Sequence, residues 1–288
     1  MQLTTKALFS QENIKQKFHE LLGQKAQGFI ASVLQICSND RLLKDADPLS
    51  VFNAAAVAAT LDLPINANLG FAYIIGYNVR QTDGSYKVMA QFQIGYKGFI
   101  QLAQRSGQFR TISAAPIYKG QILSSNPLTG YMFDFTQRES DEVIGYAAYF
   151  ALLNGFEKTI YMSIDELKSH GKKYSKSFGK DNGIWHTNSE GMYIKTPLKL
   201  LLSKFGPMSI EMQRAIATDQ AVINNDMGTD VTYIDNEPDV AIDKTVERGL
   251  LMLAECKTLD EIQKLQLEFP EIPMDEVNAK ADELITKK

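Results

Sequence analysis

Cysteine is nearly absent from these 288 residues: Cys37 and Cys256 stand far apart and form neither a disulfide framework nor a metal-ligand spacing. Histidine is as sparse, and His19, His170 and His186 share no zinc-site spacing with one another or with the cysteines. Long apolar runs are missing too. The longest, Ile144 to Leu153, falls far short of the roughly 18 residues of a membrane span. The opening MQLTTKALFSQEN has neither the charged head nor the apolar stretch of a secretory signal, so a cytoplasmic protein is expected. There is no G-x-x-x-x-G-K-[ST] loop to drive an ATP motor and no G-x-S-x-G elbow to present a nucleophilic serine.

What is present is an asymmetry of charge. The net charge of −4 averages two unlike parts. Residues 226–288 hold sixteen acids and seven bases, and the preceding 225 residues hold eighteen acids and twenty-three bases. A mildly basic body with an acidic end fits a nucleic-acid binder carrying a separate partner-binding segment.

The hydrophobic pattern predicts an α+β fold, a mixed or antiparallel β-sheet with packed helices and a small C-terminal helical module. Asp47 followed by Pro48 opens a helix whose apolar face runs through Phe52, Ala55, Ala59 and Leu63. FAYIIGYNV and YKVMAQFQI flank Asp83-Gly84 as a hairpin, and IGYAAYFALL and FEKTIYMS flank Asn154-Gly155 as a second. FRTISAAPIY and MFDFTQ read as strands, with a helix from about Tyr96 to Ser106 before them that Gly107 ends. Ser163 and Glu166 predict a capping box, and helices are expected over Leu198–Phe205 and Ile210–Ile223. The domain reading is 1–224 for the main body, 225–239 for a linker and 240–288 for an acidic module. In that module Ile242, Val246, Leu250 and Leu253, then Leu259, Ile262, Leu265 and Phe269, then Val277, Ala281 and Leu284 form three apolar faces.

Binding single-stranded nucleic acid needs cations for phosphates and flat side chains on which bases stack. Residues 76–119 supply six bases against one acid, including Arg80, Lys97, Arg105, Arg110 and Lys119, interleaved with aromatics such as Tyr96. Residues 168–199 supply seven lysines against two acids, including Lys172, Lys173 and Lys195, with Trp185 the sole tryptophan. Phe92 and Phe99 belong to the core, whereas stacking and burial are equally open to Trp185. Gly95 and Gly98 around Tyr96-Lys97 either admit a phosphate to backbone amides or only start a helix. Glu166-Leu167-Lys168 with Asp134 or Asp141 loosely matches a metal-dependent nuclease, although Glu166 already has a capping role.

Read in order, these segments resemble the RecT family of phage single-strand annealing proteins. The resemblance rests on Leu63-Pro64, on Leu69-Gly70-Phe71-Ala72-Tyr73-Ile74-Ile75, on Phe92-Gln93-Ile94-Gly95-Tyr96-Lys97-Gly98 and on Leu102-Ala103-Gln104-Arg105-Ser106-Gly107. It continues through Trp185, Met192, Lys195-Thr196-Pro197 and Ala217-Thr218-Asp219, and covers roughly residues 20–224. It implies a non-enzymatic protein that binds single-stranded DNA, assembles on it as rings or helical filaments, and pairs complementary strands through an annealed duplex intermediate in phage homologous recombination. It also implies a fold related to the eukaryotic annealing mediators and work beside a phage exonuclease. A host single-strand-binding protein is a further expected partner. No cofactor is required, and Mg²⁺ is compatible with the reading. Tyr96, Lys97, Arg105, Trp185 and Lys195 match the family's basic and aromatic signature, while Arg80, Arg110, Lys119, Lys172 and Lys173 come from charge alone. Asp219 is expected to meet a cation or a neighbouring subunit. The alternatives are the nuclease and a structural phage protein that self-assembles without DNA.

Overall fold

A computed structural model describes residues 4–80, 84–126, 128–175, 177–181, 183–224 and 231–232 and, further on, 252–253, 256, 258–269, 277 and 280–281. The chain divides into two compact units, Met1–Asn236 and Glu237–Lys288.

The first unit opens with helices α1 (Thr5–Phe9), α2 (Glu12–Leu22), α3 (Ala26–Asn39), α4 (Arg41–Lys44) and α5 (Pro48–Thr60). The Asp47 carboxylate accepts from Ser50 N at 2.9 Å and Pro48 occupies the first turn, the start that the sequence predicts. The single apolar face expected of α5 is an understatement, because every residue from Ser50 to Ala59 is buried. Small side chains let α5 run through the centre, and its two polar residues are satisfied there. Ala90 N donates to Ser50 Oγ at 2.8 Å, and Asn53 Nδ2 donates to the Ile223 carbonyl at 3.0 Å. Phe18 gathers the rings of Phe9, Phe29 and Phe52 around it, with centroids 5.7 Å away in each case.

Against α5 lies a four-stranded antiparallel sheet, in order β1 (Ala72–Arg80), β2 (Tyr86–Ile94), β8 (Ala221–Ile223) and β9 (Val231–Thr232). A second antiparallel sheet runs β3 (Phe109–Tyr118), β6 (Val143–Leu152) and β7 (Glu157–Ser163), and β4 (Ile122–Asn126) with β5 (Gly130–Phe133) makes a separate ribbon. The α+β class expected from the pattern is therefore correct, and all three sheets are antiparallel. Helices α6 (Tyr96–Arg105), α7 (Ile164–Tyr174), α8 (Ile184–Thr187), α9 (Ser189–Phe205) and α10 (Ile210–Thr218) complete the unit. Phe92, Phe99 and Phe150 are fully buried between these layers, and cutting any one to alanine is expected to cost about 3–5 kcal/mol.

Three expectations need correction. MFDFTQ is a strand only as far as Phe133, and its partner β4 is one that periodicity did not reveal. Leu198–Phe205 is the second half of a longer helix that begins at Ser189, because Pro197 sits inside α9 rather than ahead of it. Ile210–Ile223 is not one helix: α10 stops at Thr218, Gln220 turns the chain with φ of 65°, and Ala221–Ile223 pairs with β2. Asn154-Gly155 does join β6 and β7, but in a longer turn closed by Leu152 N donating to Phe156 O at 2.8 Å.

In the second unit Thr258 and Glu261 form a capping box at the start of helix α11 (Leu259–Glu268). Leu253, Ile262, Leu265, Phe269 and Val277 pack into a small core with Ala281 and Cys256 against it. Ile242, Val246, Leu250 and Leu284 of the expected apolar faces lie outside the described residues, as do 225–230 and 233–239 of the expected linker, within which Val231–Thr232 form β9.

Candidate nucleic-acid interface

The short turn after α10 places Asp219 beneath the junction of β2 and α6. There its carboxylate accepts from the Ile94 backbone N–H at 3.1 Å, from Lys195 Nζ at 2.8 Å and from Lys199 Nζ at 2.6 Å. The two lysines are one turn apart on α9 and therefore share a face. Asp219 is fully buried and Lys195 nearly so, while the Lys199 side chain is 28% exposed. Burial alone would raise the Asp219 carboxyl, but the two ammonium groups beside it hold it below the ordinary carboxylate range. Burial also pulls Lys195 down, Asp219 opposes that shift and Lys199 adds to it. Two cations against one anion leave a positive excess, and Lys199 is where it reaches the surface.

Lys199 also faces α7. Burial, Lys199 and Lys173 together depress the pKa of His170, whose ring lies against Tyr174 with centroids 4.6 Å apart. Asp219 thus ties the Gly95-Tyr96-Lys97 segment to α9, and Lys199 of α9 stands close enough to α7 to act on His170. The two basic segments, remote in sequence, sit on adjoining elements. This junction was the part that sequence reading missed: Asp219 meets its cations within its own chain. The signal available was the pair of lysines four residues apart, together with one isolated acid after α10.

Of the residues expected to touch nucleic acid, Lys97, Arg110, Lys119, Lys172 and Lys173 are exposed, and Lys97, Lys119 and Lys172 form no ion pair among the described residues. Lys97 stands at the first turn of α6, and Tyr96 beside it is half-buried against the core. Gly95 and Gly98 have a packing reason: a Cβ at Gly95 would lie 2.1 Å from the Gly70 carbonyl oxygen, and one at Gly98 would lie 2.3 Å from that of Phe71. Arg110 neighbours Tyr149, whose hydroxyl donates to Glu157 at 2.7 Å. Arg80 pairs with Tyr86 at the turn end of the β1–β2 ladder, and its side chain lies outside the described residues.

The remaining three are engaged within the chain, Arg105 with its side chain still 38% exposed. Arg105 donates to the Leu61 and Asp62 carbonyls, both at 2.8 Å, and so closes the C-terminal end of α5, with the Asp62 carboxylate 3.7 Å away. Lys195 is held by Asp219 as described. Trp185 is buried, edge-on to Phe178 and Tyr193 with centroids 5.7 and 5.9 Å away, and Gly171 makes room for its ring. Its indole N–H is buried with no acceptor among the described residues.

Glu166 is engaged by the Ser163 N–H at 2.8 Å, and Asp141 pairs with Arg138. Among the described residues no three His, Cys, Asp or Glu side chains converge as metal ligands, and no helix is long and apolar enough to cross a membrane.

Relatives among known proteins place this arrangement. The chain is 47% identical over 215 residues to the uncharacterized protein YqaK of Bacillus subtilis (strain 168), covering 74% of this chain and 71% of that one. It is 30% identical over 191 residues to Protein RecT of Escherichia coli (strain K12), covering 62% of this chain and 65% of that one. The model of the RecT family matches residues 27–251, a span that contains the Asp219 junction and both basic segments, and the chain belongs to the RecT family.

Proposed function

We propose that the first unit binds single-stranded DNA along the basic surface formed by the first turn of α6, the exposed side of α7 and Lys199, and that it anneals complementary strands in homologous recombination. Family membership carries this reading, and the junction of the two basic segments at Asp219 supports it. Annealing needs no motor, since stacking and pairing make the duplex product favourable. The protein has only to weaken phosphate repulsion while leaving base edges free. Exposed lysines without ion pairs suit that task, because they contact backbone and not sequence. Neighbouring copies along a strand would turn weak contacts into a stable assembly by multivalency. A phage exonuclease would supply the exposed strand in the host cytoplasm, and the second unit would serve a host single-strand-binding protein or another partner. Neither nucleotide nor metal has a chemical step to perform in this scheme.

The test is annealing of two naked complementary oligonucleotides by the purified chain, with no nucleotide and with EDTA present. Duplex should form faster than without protein, and its rate should fall steeply as salt rises. A chain that cleaves either strand on addition of Mg²⁺, or that assembles identically but binds no DNA, refutes the proposal.

A further inference from the structure

The β4–β5 ribbon carries an unusual load for an exposed hairpin. Tyr131 and Phe133 face inward and pack on Tyr161 of β7, with centroids 5.5 and 6.3 Å away. The intervening Met132 therefore points the other way, and it is 63% exposed. Leu123, at the irregularity in the ribbon's register, is 57% exposed, and Leu128 at the tip is 86% exposed. The Asn126 side chain accepts from the Leu128 and Thr129 N–H groups at 2.9 and 3.1 Å. Apolar side chains exposed together on a ribbon form a surface to be covered. Around them, residues 119–142 hold four acids against two bases.

A second apolar surface lies at the other end of β7. Leu153 and Ile210 are 69% and 78% exposed, and Phe156, Phe205 and Met208 are partly so. Contacts link the segments that carry them. Lys158 Nζ lies 5.2 Å from the Phe205 ring, and Leu153 N donates to Gln108 O at 3.0 Å. Ser106 and Glu211, the residue after Ile210, line one small cleft with Asp62 and Arg105. The contributing segments, 105–110, 153–158 and 203–211, hold four bases against two acids, and one of the four, Arg105, is paired with Asp62. Phe156 and Tyr161 are separated by five residues of strand, about 16 Å, so the two surfaces of one copy face opposite ends of the same hairpin.

We infer that the β4–β5 ribbon of one copy docks on the Leu153/Ile210 surface of the next, a head-to-tail contact between opposite ends of the β6–β7 hairpin. Acidic surroundings meet basic surroundings in that contact. Two different faces, each able to bind only the other, generate an open chain or a closed ring, never a twofold dimer. The inference rests on the assembly proposed above and supplies its interface.

The experiment measures particle mass by mass photometry of the full chain, with and without oligo(dT), for wild type and two variants. Leu128→Asp/Met132→Asp removes the donor face, and Leu153→Asp/Ile210→Asp removes the acceptor face. Both pairs alter exposed side chains, and Leu128→Ser/Met132→Ser and Leu153→Ser/Ile210→Ser are milder substitutes if melting curves move. Each variant alone should stay monomeric where wild type forms long assemblies, while an equimolar mixture should yield a dimer and nothing larger, since one intact face of each kind remains. Assembly of either variant to wild-type mass, no dimer in the mixture, or a wild type that is monomeric throughout overturns the inference. Loss of oligo(dT) binding by wild type would instead refute the DNA-binding reading and leave the mass comparison intact.

Discussion

The lysines of α9 and the lysines of α7 come from one basic stretch of sequence and pack on neighbouring helices, yet they perform different physical work. Lys195 is buried against Asp219 and helps hold α9 to the β2–α6 junction, whereas Lys172 and Lys173 stand in solvent on the last turn of α7. A buried cation contributes to stability only through its partner, and an exposed one contributes almost nothing to stability but remains available to a phosphate. Counting lysines along the chain merges these roles. Burial separates them.

The comparison breaks most visibly at Asp219. Asp219→Ala leaves Lys195 buried and unpaired and the Ile94 N–H without its acceptor, so urea denaturation should show a loss of about 3–5 kcal/mol. The pH dependence has a definite sign. The folded-state pKa of Asp219 lies below its ordinary value of 3.8, so its contribution is fully present above that value and is lost as pH falls through the folded pKa. Wild type should therefore lose stability in strong acid more steeply than Asp219→Ala. Parallel acid curves for the two proteins would mean that the pair adds nothing.

Trp185 sharpens the contrast for aromatics. Trp185→Ala should cost about 3–5 kcal/mol by opening a cavity beside Phe178 and Tyr193. Trp185→Phe removes an unpaired buried donor whose burial costs about 1–3 kcal/mol, so its melting temperature should stay close to wild type despite the smaller ring. If both variants melt normally and both bind oligo(dT) poorly, the indole contacts DNA and is not core.

The smallest effect on stability is expected at the exposed lysines. Lys172→Ala and Lys173→Ala should each change stability by no more than about 0.5 kcal/mol. In single-stranded DNA binding, each should make the slope of log K against log salt shallower by about 0.7. A slope unchanged in the double variant would take α7 out of the binding surface.

Much of the fold was legible because the local signals agreed with the tertiary result. Asp47-Pro48, Ser163 with Glu166, and both strand pairs of the hairpins are features that a few neighbouring residues decide. The failures cluster where distant residues decide. Ala221–Ile223 is too short to show a period and is a strand only because β2 lies beside it. Charge is visible in sequence at Arg105 and Lys195, while the Leu61 and Asp62 carbonyls and the Asp219 carboxylate that engage them are not. The same limit left Trp185 evenly balanced, since a polar stretch of sequence can still fold over a ring.

Strand β8 has a bearing on the order in which the molecule is made. Asn53 in the middle of α5 is satisfied by the Ile223 carbonyl, Gln91 by that of Gln220, and Ile94 by Asp219. Each of these bonds joins the first hundred residues to the last few of α10 and β8, across more than a hundred intervening positions. Such non-local closure makes folding slow. On the ribosome, the α5–β1–β2 layer must wait with buried polar groups unanswered until residue 223 has emerged. Until then the edge of β2 that β8 covers stays unpaired, the kind of edge on which chaperones act.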